Sequence, residues 1–145
     1  MFERILVLCT GNICRSPVAG ALLAARLPNK QIETAGLNAL VGQGVEPKAR
    51  RLAEAEGLDV SGHEARQLTS EILQGADLVL VMSAGQRLVV SQMDPAALGK
   101  TMLFGRWLEG GQGHEIPDPY RKSDEAFQQV HKLLVQAADS WVGKL

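Results

Sequence analysis

Cysteine is scarce in this chain of 145 residues, with only Cys9 and Cys14 present. One pair five positions apart builds neither a disulfide framework nor a four-ligand zinc site, so reactivity is the better reason for at least one thiol. An excess of charge of one sign is also lacking. The 15 Lys and Arg stand against 16 Asp and Glu, mixed without a long basic run, which speaks against nucleic acid or an anionic membrane as main partner. No apolar run approaches the ~20 residues of a membrane-spanning helix. The start, Met1-Phe2-Glu3-Arg4, has no basic leader segment or small-residue cleavage site, so a cytoplasmic protein without membrane insertion is expected. Repeats, low-complexity tracts and linkers are missing too, and with 46% apolar residues the chain is expected to bury a core as one domain, 1–145.

What is present is an alternation of short apolar runs and amphipathic stretches. Ile5 to Leu8 reads as a strand buried on both faces, and Ser16-Pro17 opens a helix that runs to Leu27. A second strand is expected over Gln31 to Ala35, then a Gly-dotted loop to Gly44. Further helices follow from Pro47 to about Glu56, from Thr69 to Leu73 and from Ser83 to Met93. Strands are expected over Ala76 to Met82 and Lys100 to Phe104, and a long last helix over Ser123 to Val142, capped by Ser123. This order predicts an α/β fold: a doubly wound sheet of four parallel strands with helices on both faces. Ligands in such folds sit beyond the carboxyl ends of the strands, where the segment after the first strand lies.

That segment is Cys9-Thr10-Gly11-Asn12-Ile13-Cys14-Arg15-Ser16-Pro17. Cys9 and Arg15 enclose five residues, enough for backbone N–H groups to curl round one tetrahedral oxyanion. Inward N–H groups, the following helix start and Arg15 supply the positive field that a nucleophilic thiolate needs at Cys9. Arg15 can grip two phosphate oxygens with its planar fork. Gly11 permits a close or left-handed backbone, Asn12 tolerates positive φ, and Ser16 can donate to the Cys9 sulfur. On spacing alone a structural cysteine and a surface arginine remain an equal reading; the strand before and Ser16-Pro17 after tip the balance. Cys14 fits either a small apolar core residue or a redox guard that forms a reversible disulfide with Cys9.

A departing ester oxygen needs a proton, and Asp118, stiffened between Pro117 and Pro119, is the best acid for it, although taken alone Asp118-Pro119 reads rather as an ordinary turn. Glu115 and Asp124 are neighbouring alternatives, although Asp124 stands where it serves a helix dipole. Tyr120 can line the entrance or simply pack. His63 is read as a supporting hydrogen-bonder that orients Ser16 or Asn12.

With Cys9 to Pro17, Asp118-Pro119-Tyr120 and the strand–helix order in place, the chain resembles a low-molecular-weight protein tyrosine phosphatase over essentially its whole length. Glu33-Thr34-Ala35-Gly36, Gly62 to Gln67 and Asp77 to Met82 are also similar to that family. The resemblance implies a reaction without metal or other cofactor. Cys9 takes the phosphoryl group while Asp118 protonates the phenolate, and Asp118 then activates water. Arg15 and the amides of Thr10, Gly11, Asn12, Ile13, Cys14 and Ser16 would bind phosphate, with Thr34 and His63 in the supporting network. Gly36 to Gly42 and Glu115 to Ser123 are similar to the bacterial branch that acts with tyrosine autokinases of exopolysaccharide or capsule export, which implies a phosphotyrosine protein of that kind as partner. Leu40 stands where eukaryotic members carry a bulky aromatic. Thr10 replaces a usual aliphatic, and Ser83-Ala84 follows Met82 where an acid is common. The rival readings are a thiol-dependent arsenate reductase, for which further cysteines are lacking, and a non-catalytic phosphotyrosine-binding module, in which Asp118 would have no purpose.

Overall fold

The computed structural model describes residues 2–145. Four strands, β1 (Arg4–Cys9), β2 (Gln31–Gly36), β3 (Leu78–Val81) and β4 (Thr101–Leu103), form one parallel sheet in the order β2-β1-β3-β4. The chain steps from β1 outward to β2, then crosses back to β3 on the other side of β1. The end of β1 therefore lies at the point where the winding reverses, the usual place for a ligand crevice.

Alternation along β1 decides which face each side chain serves. Ile5, Val7 and Cys9 pack with α1 (Arg15–Arg26), α2 (Pro47–Ala55) and α5 (Asp124–Val142) on one face. Leu6 and Leu8 turn to the other, against α3 (Ser70–Gly75) and α4 (Ala84–Met93). This is the expected doubly wound α/β arrangement.

The element ends differ from the pattern reading by a few residues. β3 is shorter than Ala76 to Met82 because Ala76 caps α3 and Asp77 turns its carboxylate back to the start of β1. Two 3-10 helices, Pro95–Lys100 and Glu109–Gly111, lie in segments without an expected element. The first follows from Asp94, whose carboxylate accepts the Ala96 N–H just after Pro95. Among the described residues no helix is long and apolar enough to cross a membrane.

Candidate active site

The cradle is built by holding five successive carbonyls outward. Cys9 O accepts from Leu37 N (3.0 Å), Thr10 O from Asn38 N (2.9 Å), Gly11 O from Leu40 N (3.0 Å) and Ile13 O from Glu46 N (2.8 Å). The fifth, Asn12 O, accepts from His63 Nε2 at 2.6 Å, which places the ring proton on that nitrogen. With its carbonyls bound to the surrounding loops, the segment is left to turn its N–H groups the other way, which is the geometry of an anion nest.

Asn12 makes the turn possible, at φ 59. Gly11 uses neither of the two freedoms read for it, a close or a left-handed backbone: its φ is not positive, and a Cβ there would meet Ile13 and Leu40 only at ordinary contact, 3.6 and 3.8 Å. The left-handed position belongs to Asn12, whose buried side chain stabilises it locally. Arg66 N, which can only donate, points at Asn12 Oδ1 (3.0 Å) and so fixes the amide orientation. Asn12 Nδ2 then donates to Ser16 Oγ (2.7 Å) and Thr34 Oγ1 (3.1 Å). With Ser16 Oγ already accepting from Asn12, its own proton is free for the Cys9 sulfur, 3.0 Å away.

α1 begins at the other end of the loop. It alone among α1 to α5 has no side-chain cap and no acid in its first turn, whereas Glu46, Thr69, Ser83 and Ser123 cap the others. Its first N–H groups are therefore available to an anion. Arg15, 4% exposed, donates Nη1 to Ile116 O (2.8 Å), sets Nη2 3.6 Å from Asp118 Oδ2, and keeps Nε without a protein partner. Asp118 is half-exposed, and its Oδ1 accepts from Tyr120 N at 3.0 Å. A pocket of about 170 Å³ gathers Cys9, Thr10, Gly11, Ile13, Cys14 and Arg15 at its base with Leu40, Asp118 and Tyr120 on its walls.

Both cysteines are free thiols and both are buried, Cys9 at 2% and Cys14 at 6% exposed. Burial first, and then the charge of Cys9, push the Cys14 thiol up to about 12. Cys14 is thus a neutral group packed beside Val18, Ala49 and Leu134. Glu115 and Asp124 serve helix starts: Glu115 Oε2 accepts Ala84 N (2.8 Å), supplying an acid where Ser83-Ala84 has none, and Asp124 pairs with Lys48 at 3.0 Å. Thr10 Oγ1 accepts from Gln86 Nε2 (3.3 Å), which gives the hydroxyl a partner in place of aliphatic packing.

The structure thus brings every expected residue to one place: Thr34 and His63 behind the loop, Leu40 and Tyr120 at the mouth. Sequence reasoning misses the roles of Arg66, Gln86 and Asn38. Arg66 acts on the loop through its backbone N–H, and its side chain donates Nε to Thr34 O at 2.8 Å. No residue type announces such a contact.

A thiol closing the first strand of a doubly wound sheet, facing an uncapped helix with an arginine and an aspartate beside it, is an arrangement suited to a phosphatase. The chain belongs to the low molecular weight phosphotyrosine protein phosphatase family, which it matches over residues 4–145. It is 44% identical over 144 residues to the low molecular weight protein-tyrosine-phosphatase Etp of Escherichia coli, covering 99% of this chain and 95% of that protein. Among solved structures it resembles the tyrosine phosphatase Wzb of Escherichia coli in complex with sulphate, with TM-score 0.94, 49% identity and 99% of each chain covered. Wzb of Vibrio vulnificus in complex with benzylphosphonate is 44% identical, with TM-score 0.94 and 100% of each chain covered. The protein is a protein-tyrosine-phosphatase, and its substrates are phosphotyrosine proteins.

Proposed function

We propose that this chain, acting as one domain over 1–145, hydrolyses phosphotyrosine through a phosphocysteine at Cys9. The observation that carries the reading is the row of outward carbonyls from Cys9 to Ile13, because it leaves the inner face of the loop to N–H donors around a sulfur. Cys9 Sγ attacks phosphorus and the P–O bond to the phenol breaks, while Asp118 gives its proton to the leaving oxygen. Arg15 and the amides of Thr10 to Ser16 hold the equatorial oxygens, whose charge is neutralised by fixed dipoles rather than by water. In the second step Asp118 takes a proton from water, the water oxygen bonds to phosphorus, and Cys9 leaves as thiolate, eased by the Ser16 hydroxyl 3.0 Å away. Ile13 and Leu40 offer aliphatic walls and Tyr120 an aromatic one to the phenol ring.

The relatives crystallised in complex with sulphate and with benzylphosphonate support a tetrahedral oxyanion on an aryl-bearing group as the ligand type. The resemblance of Gly36 to Gly42 and Glu115 to Ser123 to the bacterial branch favours a tyrosine autokinase of polysaccharide export as the partner, met in the cytoplasm.

Hydrolysis of an aryl phosphate in the presence of a chelator tests this reading. Cys9→Ser is expected to abolish turnover, and Asp118→Asn to lower it by roughly 10²–10⁴-fold. Brief acid quenching of Asp118→Asn with substrate should yield a phosphorylated thiol at Cys9. Turnover retained by Cys9→Ser would overturn the mechanism.

A further inference from the structure

Three residues of the catalytic pocket, Thr10, Arg15 and Asp118, also border a wider groove of about 660 Å³ on the α4 side of the loop. Several of its polar wall groups are already committed within the protein. Gln86 Oε1 accepts Met82 N (2.8 Å) and Gln86 Nε2 donates to Thr10; Ser83 Oγ accepts Gln86 N (3.2 Å); Glu115 Oε2 accepts Ala84 N. Beside His114 and the charged Arg15, Glu115 and Asp118, the groove offers a ligand apolar surface from Leu37, Val89 and Pro117. The apolar surface continues past the groove. Val89 is 45% exposed and Met93, one turn further along the same face of α4, is 40% exposed, with Leu88 at 58% beside them. Single exposed apolar side chains are ordinary, but a stripe that continues a groove bordering a catalytic pocket marks a contact surface.

We propose that this groove and the Val89–Met93 stripe dock the polypeptide that flanks the substrate phosphotyrosine, through apolar side chains on one of its two flanks. The proposal rests on the phosphatase reading above. Continuity decides the occupant: a chain whose phosphotyrosine lies over Cys9 must leave the pocket past its rim, and Thr10 and Asp118 are rim and groove at once. Length agrees. Gly85 to Met93 spans about 12 Å of helix, which an extended peptide covers in roughly four residues at about 3.3 Å each. Apolar side chains within about five residues of the phosphotyrosine would reach the stripe.

The test compares an aryl phosphate with three phosphotyrosine peptides: one carrying leucines in the residues before the phosphotyrosine, one carrying them after it, and one with serines at both. The parent protein is expected to favour one leucine peptide over the serine peptide by about tenfold in kcat/KM, mainly through KM. Val89→Asp and Met93→Asp, both at exposed positions, should erase that preference while turnover of the aryl phosphate stays unchanged. A preference that survives both variants, or no preference for either leucine peptide, overturns the docking surface. So does an equal loss on aryl phosphate and peptides in both variants. A dimeric parent that becomes monomeric on substitution, with peptide kinetics unchanged, would instead make the stripe a contact between copies of this chain and overturn the proposal. Absence of aryl phosphate hydrolysis by the parent would strike the phosphatase reading itself, so the two failures are distinguishable.

Discussion

Two thiols five positions apart in one loop, both buried and both at the base of the pocket, differ in what they touch. Cys9 ends a strand and lies 3.0 Å from the Ser16 hydroxyl, whose proton is free for its sulfur. Cys14 immediately precedes α1, where burial pushes its thiol up to about 12, so at neutral pH it holds its proton. Only a thiolate alkylates at a useful rate. Brief treatment with iodoacetamide at about pH 7 is therefore expected to label Cys9 and spare Cys14, read by mass spectrometry of the digested protein; label on Cys14 before Cys9 would contradict the assignment of the two. The same proton makes Cys14 a slow attacking thiol, so a disulfide to Cys9 should form faster as pH rises.

At the scale of elements, the contact of α1 with β2 sets the tolerance behind the loop. A Cβ added at Gly20 would lie 2.6 Å from the Thr34 methyl, a separation that side chains do not sustain. In an open helix Gly→Ala stabilises by about 1 kcal/mol. Here Thr34 would have to turn, and its hydroxyl would leave Asn12 Nδ2. Gly20→Ala is expected to lower both the melting temperature and kcat, and a raised melting temperature would show that Thr34 yields without cost. The β2 end is equally tight, since a Cβ on Gly36 would stand 2.8 Å from Thr10 O in the catalytic loop itself.

Across the whole molecule, the two central strands are tied at their far end from the site by Asp77. Its Oδ2 accepts Glu3 N and Arg4 N, each at 2.9 Å, and the bond from Arg4 above all holds its carboxyl below the usual aspartate range. The stabilisation is whole above the ordinary aspartate value and is lost as pH falls through the lower folded value. Asp77→Asn should melt earlier than the parent at about pH 7, with the gap narrowing as pH falls below the ordinary aspartate range, followed by circular dichroism; a gap that persists in acid would remove the carboxylate from the explanation. The strand–helix order, the loop from Cys9 to Pro17 and Asp118 between two prolines were all legible in the chain, because apolar runs, caps, prolines and reactive side chains are properties of residue type. The left-handed turn was legible in part: Asn12 carried it, Gly11 did not. Tertiary structure alone decided which groups hold the loop open, since Leu37, Asn38, Leu40 and Glu46 do so with backbone N–H groups that almost every residue has. It alone also oriented Asn12 through the N–H of Arg66 and buried Cys14. Sequence by itself thus determined the chemistry that this protein carries, and packing determined the direction in which that chemistry faces, because direction comes from backbone contacts between segments far apart in the chain.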